Sequence, residues 1–218
     1  LSDGRLEMDF PAQPPKAQAM LEELVEALGA RPKELVAGPY LMAVFGSPDD
    51  VIALKPDVAK VNLIAGNATG GRGNLICAAP GAGWQGGKFD VVSRFFAPGS
   101  GIPEDPATGS AHCIIAPFFS ERLGKAELNC FQAYPGRGAN ITTRMAGDRV
   151  KLIGRARTVI EVMPDGSAGD GEDAEPVARK GGDLSVHRGA RRGGERRAAG
   201  GGGRAGVARR GGPAGAPG

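Results

Sequence analysis

The chain has 218 residues and a formal net charge of +3, unevenly placed: residues 1–163 carry 17 basic and 17 acidic residues, while 17 of the 37 glycines fall in 164–218. Large apolar residues nearly vanish from that second stretch, which cannot bury enough surface to offset the entropy of ordering it; one globular unit over 1–163 and a disordered, low-complexity Gly/Arg/Ala tail over 164–218 are expected. No stretch approaches the roughly 20 apolar residues of a membrane span, and three scattered cysteines with two histidines argue against a disulfide framework and against a Cys/His metal site, so a reducing cytoplasm is the expected setting.

Arg5 to Phe10 alternates, with Leu6, Met8 and Phe10 on one face and Glu7 and Asp9 on the other, which reads as a strand. The pattern is already under way at the first residues, so further chain upstream is expected. Pro11, Pro14 and Pro15 break it. Lys16 to Leu28 then reads as a helix, with Gly29 placed to cap its end. Tyr40 to Phe45 is a short apolar run and an expected strand. Ser47-Pro48 opens a short helix towards Leu54, because serine caps and proline starts helices well. Val58 to Ile64 suggests a second short helix.

Asn74 to Ala79 and Phe89 to Phe96 read as strands around a glycine-rich loop over 80–88. Thr108 or Ser110 stands at the N-cap of a helix reaching Leu123, with Gly124 closing it and Pro117 expected to kink it. Leu128 to Ala133 is the next strand. Ile141 to Met145 and Arg149 to Ile153 flank Ala146-Gly147-Asp148, a hairpin signal. Arg157 to Val162 closes the set. The pattern is α+β, with several short strands and one prominent helix.

The chemistry concentrates in Glu104-Asp105-Pro106-Ala107-Thr108-Gly109-Ser110-Ala111-His112. Two carboxylates sit on a proline-stiffened loop directly before a helix. The first-turn N–H groups of Gly109, Ser110 and Ala111 have no intrahelical partner, and with the helix dipole they suit a carboxylate or phosphate. Ser110 adds a hydroxyl, and Asp105 beside them can accept a proton. An acid next to an anion pocket suits proton transfer at a carbon alpha to a carboxylate. The plainer alternative is an N-cap beside solvated acids. His112 reads as a packing or locally hydrogen-bonded residue, and Cys113 and Cys130 as small core residues.

Arg-Phe-Phe-Ala-Pro at 94–98, Gly101 to His112, and Arg-Leu-Gly-Lys at 122–125 resemble the signature of the PhzF-like isomerases of phenazine biosynthesis. The resemblance extends to Leu-Glu-Met-Asp-Phe-Pro-Ala at 6–12, Leu24 to Gly29, Leu54-Lys55-Pro56-Asp57 and Asp148 to Ala156, so it covers about 3–162. It implies the C-terminal lobe of a diaminopimelate-epimerase-like fold, a mixed sheet wrapped around a central helix. It also implies a homodimer and isomerisation of a small carboxylated metabolite by proton shift, without metal or other cofactor. By resemblance Asp105 has a supporting catalytic role, and Asp105, Gly109, Ser110 and Ala111 bind substrate.

The family's catalytic glutamate belongs to the N-terminal lobe, for which this chain shows no counterpart. The missing lobe, or a second copy, is therefore an expected partner, and the competing readings are a non-catalytic remnant or half of a split enzyme. Ala107 stands where related racemases carry cysteine, so thiol chemistry is not expected. Tyr134 replaces a serine in the family's Gln-x-Ser-x-Arg-Gly-Gly loop, and the Arg-Gly-Gly order is disturbed there. The tail holds eight arginines and one glutamate between 186 and 218 but no interleaved aromatics for base stacking. Nucleic-acid binding is accordingly set aside in favour of a solvated or out-of-frame tail.

Overall fold

The computed structural model describes residues 5–155. Ten strands form one mixed sheet: β1 (Leu6–Pro11), β2 (Lys16–Gln18), β3 (Glu34–Ala37), β4 (Leu41–Val44), β5 (Leu75–Pro80), β6 (Val91–Phe96), β7 (Glu104–Asp105), β8 (Glu127–Tyr134), β9 (Arg137–Ala146) and β10 (Arg149–Gly154). The helices are α1 (Glu22–Leu28), α2 (Pro48–Ala53), α3 (Val58–Thr69) and α4 (Gly109–Leu123). Strand order is β1-β10-β9-β8-β6-β5-β4-β3-β2, with β7 paired to β6. The β4–β5 and β6–β8 pairs are parallel and the others antiparallel. This is the expected α+β class. The expectations for Arg157 to Val162 and for the tail lie outside the described residues.

Alternation along β4 and β5 explains the layering. Leu41, Ala43, Leu75 and Cys77 point to one face, where α1, α2 and α3 cover them with Leu24, Leu28, Val51, Val61 and Ile64. Met42, Val44, Ile76 and Ala78 point to the other, against Ile114, Ile115, Phe118 and Phe119 of α4. Strands buried on both faces read as continuous apolar runs, which is why their sequence shows little alternation. A further side of α4 is taken up at Ala116 by Val150 and Leu152 of β10. Residues 111–116, 118 and 119 are all buried, as befits a helix apolar on every side.

One connection enforces that enclosure. β1 and β2 are the two outer strands of the path, yet only residues 12–15 join them. Five extended steps reach at most about 18 Å, so the sheet has to curl until its edges come that close, with α4 inside. Pro117 helps fix the joint. Lacking an N–H, it leaves the carbonyl of Cys113 without its usual helical donor, and Gln13 N–H donates to that carbonyl at 2.9 Å. Pro117 lies within helix α4, which spans Gly109 to Leu123, and the carbonyl it frees docks the edge-to-edge connection.

Several ends form as the residues predict. Ser47 Oγ accepts from Asp50 N–H at the start of α2, and Gly124 ends α4 with φ 63°; a cap not expected from the sequence is Asp57, which accepts from Ala59 and Lys60 N–H at the start of α3, both at 3.1 Å. The helix expected over 16–28 is corrected at its start: Lys16, Ala17 and Gln18 pair with Ala37, Val36 and Leu35, so tertiary pairing overrides local pattern. The helix from Val58 also runs beyond Ile64, to Thr69. Residues 134–139 form a tight hairpin, Tyr134 opposite Arg137.

A knot at the far end of the sheet steadies the approach to β7. Asn74 Nδ2 donates to Ser100 Oγ at 2.9 Å, and a side chain on Gly73 would overlap the carbonyl oxygen and Oδ1 of Asn62. Gly73→Ala is expected to cost about 1–3 kcal/mol by overpacking, measured as a lower urea midpoint.

Candidate active site

Strand β7 has two residues, and the pleat sends them opposite ways. Glu104 turns into the protein. Arg94 Nε and Nη2 donate to its two carboxylate oxygens at 2.8 and 2.9 Å, and both side chains are 10 % exposed. Arg94 Nη1 also donates to the carbonyls of Ile52 at 3.2 Å and Leu54 at 2.6 Å, satisfying the end of α2. The planar guanidinium is suited to this forked task, which lysine cannot perform. The Glu-Asp pair is therefore divided between an anchor and a half-buried acid, Asp105, that faces α4.

Asp105 is held by the helix start itself. Thr108 Oγ1 donates to Asp105 Oδ2 at 2.6 Å, and Ala107 N–H reaches Oδ1 at 3.4 Å. Thr108 occupies the N-cap position but makes no side-chain cap; its hydroxyl donates to Asp105 and its oxygen accepts from Gln132 Nε2 instead. Gln132, fully buried on β8, completes the arrangement. Its Oε1 accepts from Thr108 N–H at 2.9 Å, and its Nε2 donates to the Asp105 carbonyl at 2.6 Å and to Thr108 Oγ1 at 3.1 Å. One amide thus fixes both the acid's backbone and the residue that orients its carboxyl.

The expected site residues cluster at this point. Gly109 is half-buried and Ser110 exposed, while the Ala111 side chain is buried in the core, leaving only its backbone to face a ligand. A Cβ on Gly109 would meet Leu152 Cδ1 at 3.2 Å, a tight fit that favours glycine. Ser110 Oγ lies 3.2 Å from the Tyr40 hydroxyl. Thr108 was legible only as a cap; Gln132 was legible only as the first residue of the family-like Gln-x-Ser-x-Arg-Gly-Gly stretch, and nothing near in sequence marks Tyr40, which reaches the site from the turn before β4.

An apolar stripe flanks the helix start. Met8 pairs with Leu152 and Phe10 with Val150, and opposed residues share a face, so Leu6, Met8 and Phe10 lie on the α4 side of β1. They are 57, 54 and 38 % exposed. The other face of β1 is satisfied: Glu7 accepts from Arg144 at 2.6 Å, and Asp9 accepts from Lys151 at 2.6 Å and Arg149 at 2.8 Å. Those two cations, Lys151 foremost, hold the Asp9 carboxyl below its usual range.

His112 is enclosed. Its Nδ1 lies 2.8 Å from the Thr108 carbonyl, so Nδ1 carries the proton, and Nε2 has no partner among the described residues. Burial pushes its pKa from 6.5 down to about 4, against the opposing pull of that carbonyl. The ring packs as a neutral group. Burial likewise raises the thiols of Cys113 and of Cys130, the latter to about 12, so both stay protonated core residues.

Two stability predictions follow from these groups. Arg94→Met leaves Glu104 buried without its partner and should cost about 3–5 kcal/mol, whereas Arg94→Met with Glu104→Leu should recover most of the loss; urea unfolding of both variants checks this. For His112, the unfolded chain takes up a proton near pH 6.5 and the folded one only near 4. Stability should therefore fall as pH drops between those values, by about 3 kcal/mol in total. Wild type minus His112→Met, measured by denaturant melts from pH 7 to 4, should show that slope; a flat difference would refute it.

Comparison with known proteins places this geometry in a family. The family model for phenazine biosynthesis-like protein matches residues 4–162. An uncharacterized isomerase of Pseudomonas aeruginosa is 37 % identical over 155 residues, covering 71 % of this chain and 55 % of the relative. The human phenazine biosynthesis-like domain-containing protein is 41 % identical over 102 residues, covering 46 % and 35 %. The crystal structure of a PhzF-family phenazine biosynthesis protein from Enterococcus faecalis superposes with a TM-score of 0.63 at 30 % identity, covering 71 % of this chain and 55 % of that one. The chain spans about half the length of the first two relatives of known sequence and structure, the bacterial isomerase and the Enterococcus protein. With its sheet-enclosed helix and the Asp105 motif at the helix start, the chain belongs to the PhzF-like family of phenazine biosynthesis-like proteins.

Proposed function

We propose that this chain forms the C-terminal, substrate-carboxylate-binding half of a PhzF-like isomerase that shifts a proton on a small carboxylated metabolite in a biosynthetic pathway, without metal or cofactor. The observation that carries the reading is the diversion of Thr108. Its hydroxyl serves Asp105 rather than the helix, so an oriented acid and an uncapped helix start stand side by side.

In this reading the substrate carboxylate docks at the N–H groups of Gly109, Ser110 and Ala111 and at the Ser110 hydroxyl. The helix dipole favours that negative charge. Donors placed around the carboxylate also stabilise the extra charge that spreads into it when the alpha carbon loses a proton. Asp105 delivers or receives a proton at the adjoining position, with Thr108 and Gln132 setting its direction. The complementary group, a glutamate in the resemblance described above, comes from the other half of the enzyme or from a separately encoded lobe.

Two observations support a partner. The matched relatives are nearly twice as long as the match, and the stripe of Leu6, Met8 and Phe10 leaves apolar surface beside the site, which promotes association. A homodimer in the cytoplasm is the proposed setting. Among the described residues no helix is long and apolar enough to cross a membrane.

The test is solvent exchange in D2O against a panel of small unsaturated and alpha-amino carboxylates. The chain alone is expected to incorporate no deuterium. Adding a glutamate-bearing lobe from a relative should start incorporation, and Asp105→Asn should lower it at least about a hundredfold. Exchange by the chain alone would refute its incompleteness, and silence in the complemented mixture would sink the isomerase reading.

A further inference from the structure

Tyr40 precedes β4 and is 70 residues from Ser110, yet their hydroxyl oxygens lie 3.2 Å apart. Its ring stands edge-on to Phe95, with centroids 5.1 Å apart at 68°. Phe95 is in turn the residue that pairs with Asp105 across β6 and β7. The phenol therefore reaches the start of α4 on a short arm braced against the strand that carries the acid. Phenylalanine would make the same ring contact; the oxygen is what tyrosine adds.

We infer that Tyr40 is a positioning residue of the candidate site, acting through Ser110: its O–H donates to Ser110 Oγ and aims the serine proton at a bound carboxylate. The inference rests on the proposed reading of the α4 start as the carboxylate site. A serine hydroxyl has one proton and two lone pairs. Were Ser110 the donor to Tyr40, its proton would point away from the ligand. An anion at the helix start takes that proton, and the lone pairs left over face the phenol, which then has to be the donor. Two hydroxyls in series polarise one another, so the outer one becomes a better donor to the anion.

The test is a double-mutant cycle on the full chain, isotopically labelled and titrated with sodium propionate while the Gly109, Ser110 and Ala111 amides are followed by NMR. Wild type should show saturable shifts. Tyr40→Phe should weaken binding about three- to tenfold, the equivalent of one hydrogen bond, and so should Ser110→Ala. In the Ser110→Ala background Tyr40→Phe should change nothing, because its effect passes through the serine. Tyr40→3-fluorotyrosine, a stronger donor in the same ring, should tighten binding, and this arm stands even if Tyr40→Phe unfolds the chain. Wild-type binding that Tyr40→Phe leaves intact, an additive cycle, or an unchanged fluorotyrosine affinity overturns the role of Tyr40 and spares the carboxylate site. Absence of saturable shifts in wild type removes the site and the inference together.

Discussion

Four residues joining the two outer edges of a ten-stranded sheet are the constraint on which the rest depends. With Ala12 to Pro15 as the only link between β1 and β2, the sheet cannot lie open. It has to curl, and the interior it creates has room for one helix. Helix α4 matches that demand because residues 111–116, 118 and 119 can all be buried. The end of such a helix is the part that cannot be buried, since its first N–H groups lack internal partners. The candidate site thus lies where the enclosure stops. Burial of the apolar body and exposure of the polar start follow from the same geometry.

Around that start, neighbouring polar residues have separate tasks. Glu104 and Asp105 differ by one methylene, but the pleat assigns Glu104 to the buried guanidinium of Arg94 and Asp105 to Thr108. Gln132 then removes the freedom left to Thr108. Nearly every polar atom behind the acid is matched, which is what a low-dielectric interior requires. His112 is one of the exceptions: one ring nitrogen is bonded, the other has no partner among the described residues, and the ring stays neutral.

Much of this was legible in the residues where local chemistry decides the outcome. Ser47-Pro48 and Gly124 mark helix ends because a cap needs only its own few residues. The motif from Glu104 to His112 was legible for the same reason, as was the alternation of β1. Illegible parts were those decided at a distance. Lys16 to Gln18 carry no strand signal of their own and are extended because β3 accepts them. Glu34 to Ala37 is too short to show a period. Tyr40 looks like an ordinary loop residue, and Gln132 only like the start of a family-like loop, until the fold brings them to Ser110 and Thr108. The contact of Gln13 with the Cys113 carbonyl, which Pro117 leaves free, was equally illegible, because it joins the helix to a connection far away in sequence.

The pairing of Leu6 with Gly154 bears on how such a unit can be joined to anything else. The first and last strands of the described region are neighbours in one ladder, so the backbone enters and leaves at a single place. A folding unit with adjacent entry and exit behaves as a cassette: it can be inserted into, or detached from, a longer polypeptide without unthreading its own interior.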